Sequence, residues 1–320
     1  MRRAVLSALV TMLVASACGA STTPTRATAA KRATLVLDFA PNAVHAGIYT
    51  ALALGYDRAA GVRLEVIAPS ASTDAIKLLQ SGRVQFAILD IHDLAIAAAR
   101  GAQLVGVMAI VERPLAAVIA SPAVHNPRQL QGRTVGVTGV PSDGAVLRSI
   151  VAGAGGDPAR VHTVTIGYDA VADLLAGRVA AATSFWNDEG VTLQRRRPGF
   201  HVFRLESYGA PAYPELVLCT TTAIRREQPA LVGAVTTALT AGYRAVLADP
   251  RAGAAALERL VPGLDPSLVS AELSALRPTF EGPDGQPGEL DQSALRAWAA
   301  WERSFGLVPR TPDVSRLFSH

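Results

Sequence analysis

Short apolar runs alternate along the chain with stretches whose apolar residues recur at helical spacing. Residues 34–39, 62–67, 84–89 and 104–111 are runs of strand length, and residues 44–54, 74–80 and 94–100 between them carry a helical pattern. Gly55, Gly82 and Gly101 follow these helices as C-terminal stops. A second series begins near Leu115, with strands predicted at 115–120, 134–138, 161–166, 179–185 and 216–221 and helices at 144–154 and 170–176. After Pro229 the pattern is mainly helical, and Trp298 and Trp301 have the spacing of a packed helix face. Strands alternating with helices predict βαβ units and mostly parallel sheets.

Two segments of the chain resemble each other. Residues 78–90 and 174–186 both run from a helix end through a glycine turn into a buried strand, then to a polar or aromatic residue at the strand's carboxyl end. Open α/β sheets bind ligands at that edge, so two such lobes facing one another would form a cleft. The chain has 320 residues, room for two domains. The expected division puts 33–114 and 222–320 in the first lobe and 115–221 in the second.

Composition removes several function classes. Half the residues are apolar and 18% are charged, which excludes intrinsic disorder. The formal charge is +4, the arginines are scattered, and the run Arg195-Arg196-Arg197 has no interleaved aromatics, so no nucleic-acid partner is expected. His92, His125, His162, His201 and His320 show no ligand spacing, and no metal site is expected. There is no G-x-S-x-G elbow, P-loop or H-E-x-x-H motif, and the glycines at 153–156 follow a helix rather than a strand, so no cofactor is expected either.

The N-terminus reads as a targeting segment. Arg2 and Arg3 precede an apolar run at 4–14, too short to span a bilayer, which needs roughly 20 residues. Ala15-Ser16-Ala17-Cys18-Gly19 resembles the lipobox of bacterial lipoproteins. The expectation is a signal peptide at 1–17, lipid on Cys18 and a flexible tether at 18–32. With Cys18 lipidated, Cys219, the only other cysteine, has no disulfide partner.

Three segments narrow the reading further. Asp38-Phe39-Ala40-Pro41-Asn42-Ala43-Val44-His45-Ala46-Gly47-Ile48-Tyr49 resembles the D-W-x-P-N-x-x-H-x-G-x-Y signature of the thiamine-pyrimidine-synthase-like family, with Phe39 in place of the usual Trp. Ser184-Phe185-Trp186-Asn187-Asp188-Glu189-Gly190 is similar to the W-N-x-E-G segment of its bacterial transport members, and Gly306-Leu307-Val308 to their closing segment. The resemblance implies a two-lobe type II periplasmic binding fold and an extracytoplasmic solute-binding protein of an ABC importer. Such a protein captures a thiamine-related pyrimidine as a monomer and delivers it to a membrane permease driven by an ATPase. The family's eukaryotic enzymes instead build the pyrimidine from pyridoxal phosphate and a histidine that matches His45. Their pyridoxal lysine falls near Leu54 here, one cysteine (Cys219) stands where they have a cluster, and Asp143 would repel a phosphate in the loop Gly139-Val140-Pro141-Ser142-Asp143-Gly144. These departures favour binding over catalysis. Riboflavin, a sulfonate or another small aromatic solute stays open as an alternative ligand.

A 4-aminopyrimidine needs aromatic walls and a carboxylate to accept its amine hydrogens. Phe39 and Trp186 are the expected walls, from opposite lobes. Glu189 is the expected acceptor, with Asn187 beside it and Asp188 turned to solvent. Asp38 and Asp90 end first-lobe strands and could face the cleft or cap helices. Asn42 is placed as a helix N-cap. His45 is placed at the cleft mouth as a donor, with Tyr49 one turn on and Ser142 in the glycine loop. Tyr168, Tyr208 and Tyr213 are further aromatics that the sequence does not rank.

Overall fold

The structure, a computed structural model, describes residues 30–319. The expected signal peptide, Cys18 and most of the expected tether lie outside the described residues. Ten strands form two five-stranded sheets. β1 (Lys31–Val36), β2 (Val62–Ile67), β3 (Phe86–Asp90), β4 (Leu104–Ala109) and β10 (Leu216–Thr221) make the first, in the order β2-β1-β3-β10-β4. β5 (Ala116–Ala120), β6 (Thr134–Val137), β7 (His162–Thr165), β8 (Ala181–Phe185) and β9 (His201–Arg204) make the second, in the order β7-β6-β8-β5-β9. β1 already pairs with β2 from Lys31, so the tether ends before the expected residue 32.

The sheets are copies of one plan. In each, a parallel trio is followed by one antiparallel strand, β10 beside β3 and β5 beside β8. β3 and β8, the strands of the similar segments 78–90 and 174–186, hold the same central place in their sheets. β3 and β10, central in the first sheet, read as near-continuous apolar runs because both of their faces are buried. The chain crosses outward between β4 and β5 and returns between β9 and β10. β10 pairs with β3 and β4, so the return comes before Leu216 and not after residue 221 as the sequence suggested. The periodicity of a buried strand does not say which sheet receives it.

The helix Ala46–Leu54, which follows the β1 turn, is seated on the long helix Pro229–Ala248 by close backbone approach. A Cβ on Gly242 would stand 2.0 Å from the Gly47 carbonyl oxygen, and the Tyr243 hydroxyl donates to the Val44 carbonyl at 2.8 Å. The C-terminal region is helical as expected, and Trp298 and Trp301 are buried in the core.

Candidate functional site

A cavity of about 970 Å3, counted out to its mouth, lies between the two sheets. It opens at the carboxyl ends of β1, β3, β6 and β8, the edge where open α/β sheets place ligands. Of the residues expected from sequence, Asp38, Phe39, Asn42, Asp90, Ser142 and Glu189 line it. His45, Tyr49, Trp186 and Asn187 do not.

From the first lobe, the turn after β1 brings in Asp38 and Phe39. Asn42 caps the short turn Ala43–His45: its side-chain oxygen accepts the Val44 N–H at 2.9 Å. Its amide nitrogen also reaches across the cleft and donates to Asp188 at 2.7 Å. The cap reading therefore holds, and the same side chain latches the lobes. Asp90 ends β3 and both lines the cavity and caps the helix Ile91–Ala99, accepting the His92 N–H at 2.7 Å. From the second lobe, the Ser142 N–H donates to Asp93 at 3.2 Å. Asp143 accepts the Gly139 N–H at 2.6 Å and the Thr183 hydroxyl at 2.8 Å. This carboxylate thus takes up a donor of its own glycine loop, a donor that a phosphate would need.

His45 is not at the cleft mouth. It is fully buried; its Nδ1 accepts the Asn42 N–H at 3.2 Å and its Nε2 lies 2.9 Å from Asp38 Oδ1. The first bond leaves the proton on Nε2, which donates to Asp38. With both nitrogens committed, His45 orients Asp38 and has no donor left for a ligand. Tyr49 is buried too, and burial pushes its hydroxyl up to about 12.

Trp186 corrects the expected aromatic wall. It is buried against the crossover segment, its indole N–H donating to the Pro114 carbonyl at 2.9 Å, with the Arg204 guanidinium 3.9 Å from the ring centroid. Its neighbour Phe185 faces the cavity instead. Adjacent strand residues point to opposite faces, and the sequence alone did not say which of two aromatic neighbours faces in. Asn187 is buried behind the cavity, its amide oxygen without a hydrogen-bond partner. Tyr168 also lines the cavity and packs edge to face on Phe39 at 4.4 Å between centroids, with its hydroxyl donating to the Asp38 carbonyl at 3.2 Å. Sequence reasoning named Tyr168 without ranking it, and no motif marked it.

The acidic groups complete the site. Glu189 accepts the Phe185 N–H at 3.1 Å, and burial, reinforced by Asp188, pushes its carboxyl up to about 8. Asp188 faces the cavity rather than solvent. Burial raises its carboxyl to about 6 against the opposing pull of the Asn42 amide. Asp93 is also held well above the ordinary range by burial.

The family described as NMT1/THI5 like matches residues 42–253. The chain belongs to that family. It is 29% identical over 307 residues to a formylaminopyrimidine-binding protein of Halalkalibacterium halodurans, covering 93% of this chain and 92% of that one. A 4-amino-5-hydroxymethyl-2-methylpyrimidine phosphate synthase of Legionella pneumophila is 24% identical over 165 residues, 51% of this chain and 52% of that one. The alkanesulfonate-binding protein SsuA of Xanthomonas axonopodis pv. citri superposes with a TM-score of 0.70 at 14% identity, over 90% of this chain and 98% of that one. The family member thus has the two-lobe type II periplasmic binding fold that its sequence suggested.

Because Asn42 both caps and latches, Asn42→Asp separates the two roles. The carboxylate keeps the cap acceptor but replaces the donor amide with a second negative group facing Asp188. Ligand affinity should fall about tenfold or more, the scale of a lost charged hydrogen bond, with the melting temperature little changed. Calorimetric titration beside thermal unfolding reads both.

Proposed function

We propose that this protein is an extracytoplasmic solute-binding protein that captures a 4-aminopyrimidine related to thiamine. In this reading Cys18 carries the lipid anchor, the monomer closes around its ligand, and an ABC permease and its ATPase receive it. The observation that carries the ligand class is the chemistry of the cavity wall. Six carboxylates line it, Asp38, Asp90, Asp93, Asp143, Asp188 and Glu189, together with the rings of Phe39, Tyr168 and Phe185; no lysine or arginine does so among the described residues. Such a wall suits a flat aromatic rich in N–H donors and repels an anion. It argues against a sulfonate or phosphate solute, although the fold is shared with a sulfonate binder. A pyrimidine ligand agrees with the similarity to a formylaminopyrimidine-binding protein.

A pyridoxal-dependent synthase fits the residues poorly. Lys77 donates to Thr73 on the exposed face of its helix and does not line the cavity, and His45 is sealed behind Asp38. Native mass spectrometry of freshly purified protein should find a co-purified aminopyrimidine. Calorimetry should show binding of formylaminopyrimidine and none of an alkanesulfonate. Tight sulfonate binding without aminopyrimidine binding would overturn the reading.

A pH dependence follows from Glu189. With its carboxyl raised to about 8, the free protein at neutral pH already holds a proton there. The complex needs one proton shared between this carboxyl and a ring nitrogen. Affinity should therefore stay level up to about pH 8 and then fall, approaching tenfold per pH unit as binding has to take a proton from solvent. The folded state holds a proton that the unfolded chain, near 4.5, has released. Stability from this group is accordingly full at low pH and lost as the pH rises towards 8. Titrations from pH 6 to 10, with unfolding measured in parallel, check both directions.

A further inference from the structure

Behind the ligand cavity lies a polar cluster that meets the cavity wall at Asp90. Asp90 and His92 come from the end of β3 and the first turn of the next helix. Tyr213 and Glu215 come from the segment returning to β10. His92, Tyr213 and Glu215 are fully buried. One ligand atom from each of Asp90, His92 and Glu215 lies within 4.8 Å of the others. Glu215 Oε1 is 3.7 Å and the Tyr213 hydroxyl 2.9 Å from His92 Nε2.

Two observations point to a cation. Glu215 spends one oxygen on the backbone, accepting the Leu115 and Ala116 N–H groups at 2.6 and 2.9 Å. Its other oxygen, Oε1, is buried, faces His92, and has no hydrogen-bond partner. A buried carboxylate oxygen in that state is costly unless a positive centre stands before it. On the far side of the imidazole, Nδ1 is held against the Glu302 carboxylate, itself fully buried. A carboxylate on one ring nitrogen is the arrangement that orients metal-bound histidines at the other. Burial opposes the charge, but Glu302, Asp90 and Glu215 together raise His92 to about 10, so a metal at Nε2 displaces the proton held there. Together Asp90, Glu215 and Glu302 set three carboxylates around one imidazole.

We propose that Asp90, His92 and Glu215, with Tyr213 as a fourth donor, form a site for a first-row divalent transition metal of the zinc type. Bonds of roughly 2.0–2.2 Å in a four-coordinate centre place neighbouring donors roughly 3.3 Å apart, so a metal would draw Glu215 in from 3.7 Å and move the Tyr213 hydroxyl out from 2.9 Å. One imidazole with oxygen donors suits zinc or iron better than calcium or magnesium. The centre would tie the floor of the cavity, through Asp90, to both crossover segments. Glu215 already bonds the outgoing segment at Leu115 and stands in the returning one.

The test uses the whole chain, stripped with a chelator and dialysed. Zinc chloride should then bind with one equivalent in calorimetry. Cobalt(II) should give the intense visible bands of a four-coordinate centre, and the melting temperature should rise with metal concentration. His92→Gln should abolish the cobalt bands. Glu302→Gln, which touches the metal only through His92, should lower zinc affinity about 10–100-fold. Wild-type protein that takes up no zinc or cobalt would overturn the proposal, whatever the variants do. So would uptake that survives in His92→Gln and disappears in His125→Gln, because His125 and His201 form a separate ring pair at 4.7 Å. None of these readouts involves a pyrimidine, so failure here leaves the ligand reading standing, and the reverse.

Discussion

Trp186→Ala should destabilise the folded protein by about 3–5 kcal/mol, the range for deleting a buried tryptophan side chain. The ring is packed in the core, its N–H is spent on the Pro114 carbonyl, and its own backbone N–H bonds the Leu115 carbonyl. It bolts the end of β8 to the outgoing crossover. Denaturant unfolding should show the loss, while calorimetry below the unfolding transition should find aminopyrimidine affinity within a few-fold of wild type. The opposite outcome, intact stability with lost affinity, would return the indole to the cleft. Tyr168→Ala is the companion: it removes a wall of the cavity and should reduce affinity with a much smaller effect on unfolding.

Glu189→Gln should weaken a 4-aminopyrimidine by about 1.5–3 kcal/mol, roughly ten- to over a hundredfold in dissociation constant. The glutamine keeps an oxygen for the Phe185 N–H and replaces the other acceptor with a donor amide. Two donors would then face each other across the pyrimidine edge. A flat solute of the same size without the exocyclic amine should bind both proteins nearly alike. Equal affinity of wild type and variant for the aminopyrimidine would take Glu189 out of the recognition step and leave Asp188 as the acceptor to test.

Local chemistry made much of the site legible. Asp38, Phe39, Asn42 and Asp90 follow apolar runs, and a residue just past a buried strand of an open sheet has few places to go but the ligand edge. Glu189 was read from a motif, and it lines the cavity. The misplacements share a cause. His45 and Trp186 were read as ligand groups because they bear the motif, yet each spends its polar atoms on a neighbour, Asp38 or Pro114, that the pattern of the chain cannot pair with it. Asp188 was turned the wrong way because its partner, Asn42, lies 146 residues away.

Periodicity and turn residues alone determined that this chain alternates strands and helices, that it doubles one βαβ plan, and where along the chain the ligand edges fall. These are local properties, set by side-chain spacing within a dozen residues. Which sheet takes β10, which of Phe185 and Trp186 faces the cavity, and how Asp90, His92, Tyr213, Glu215 and Glu302 come to share one buried cluster were decided only by the tertiary structure. Each depends on segments 72 to 210 residues apart meeting across a crossover or a cleft, and no spacing within the chain encodes that distance.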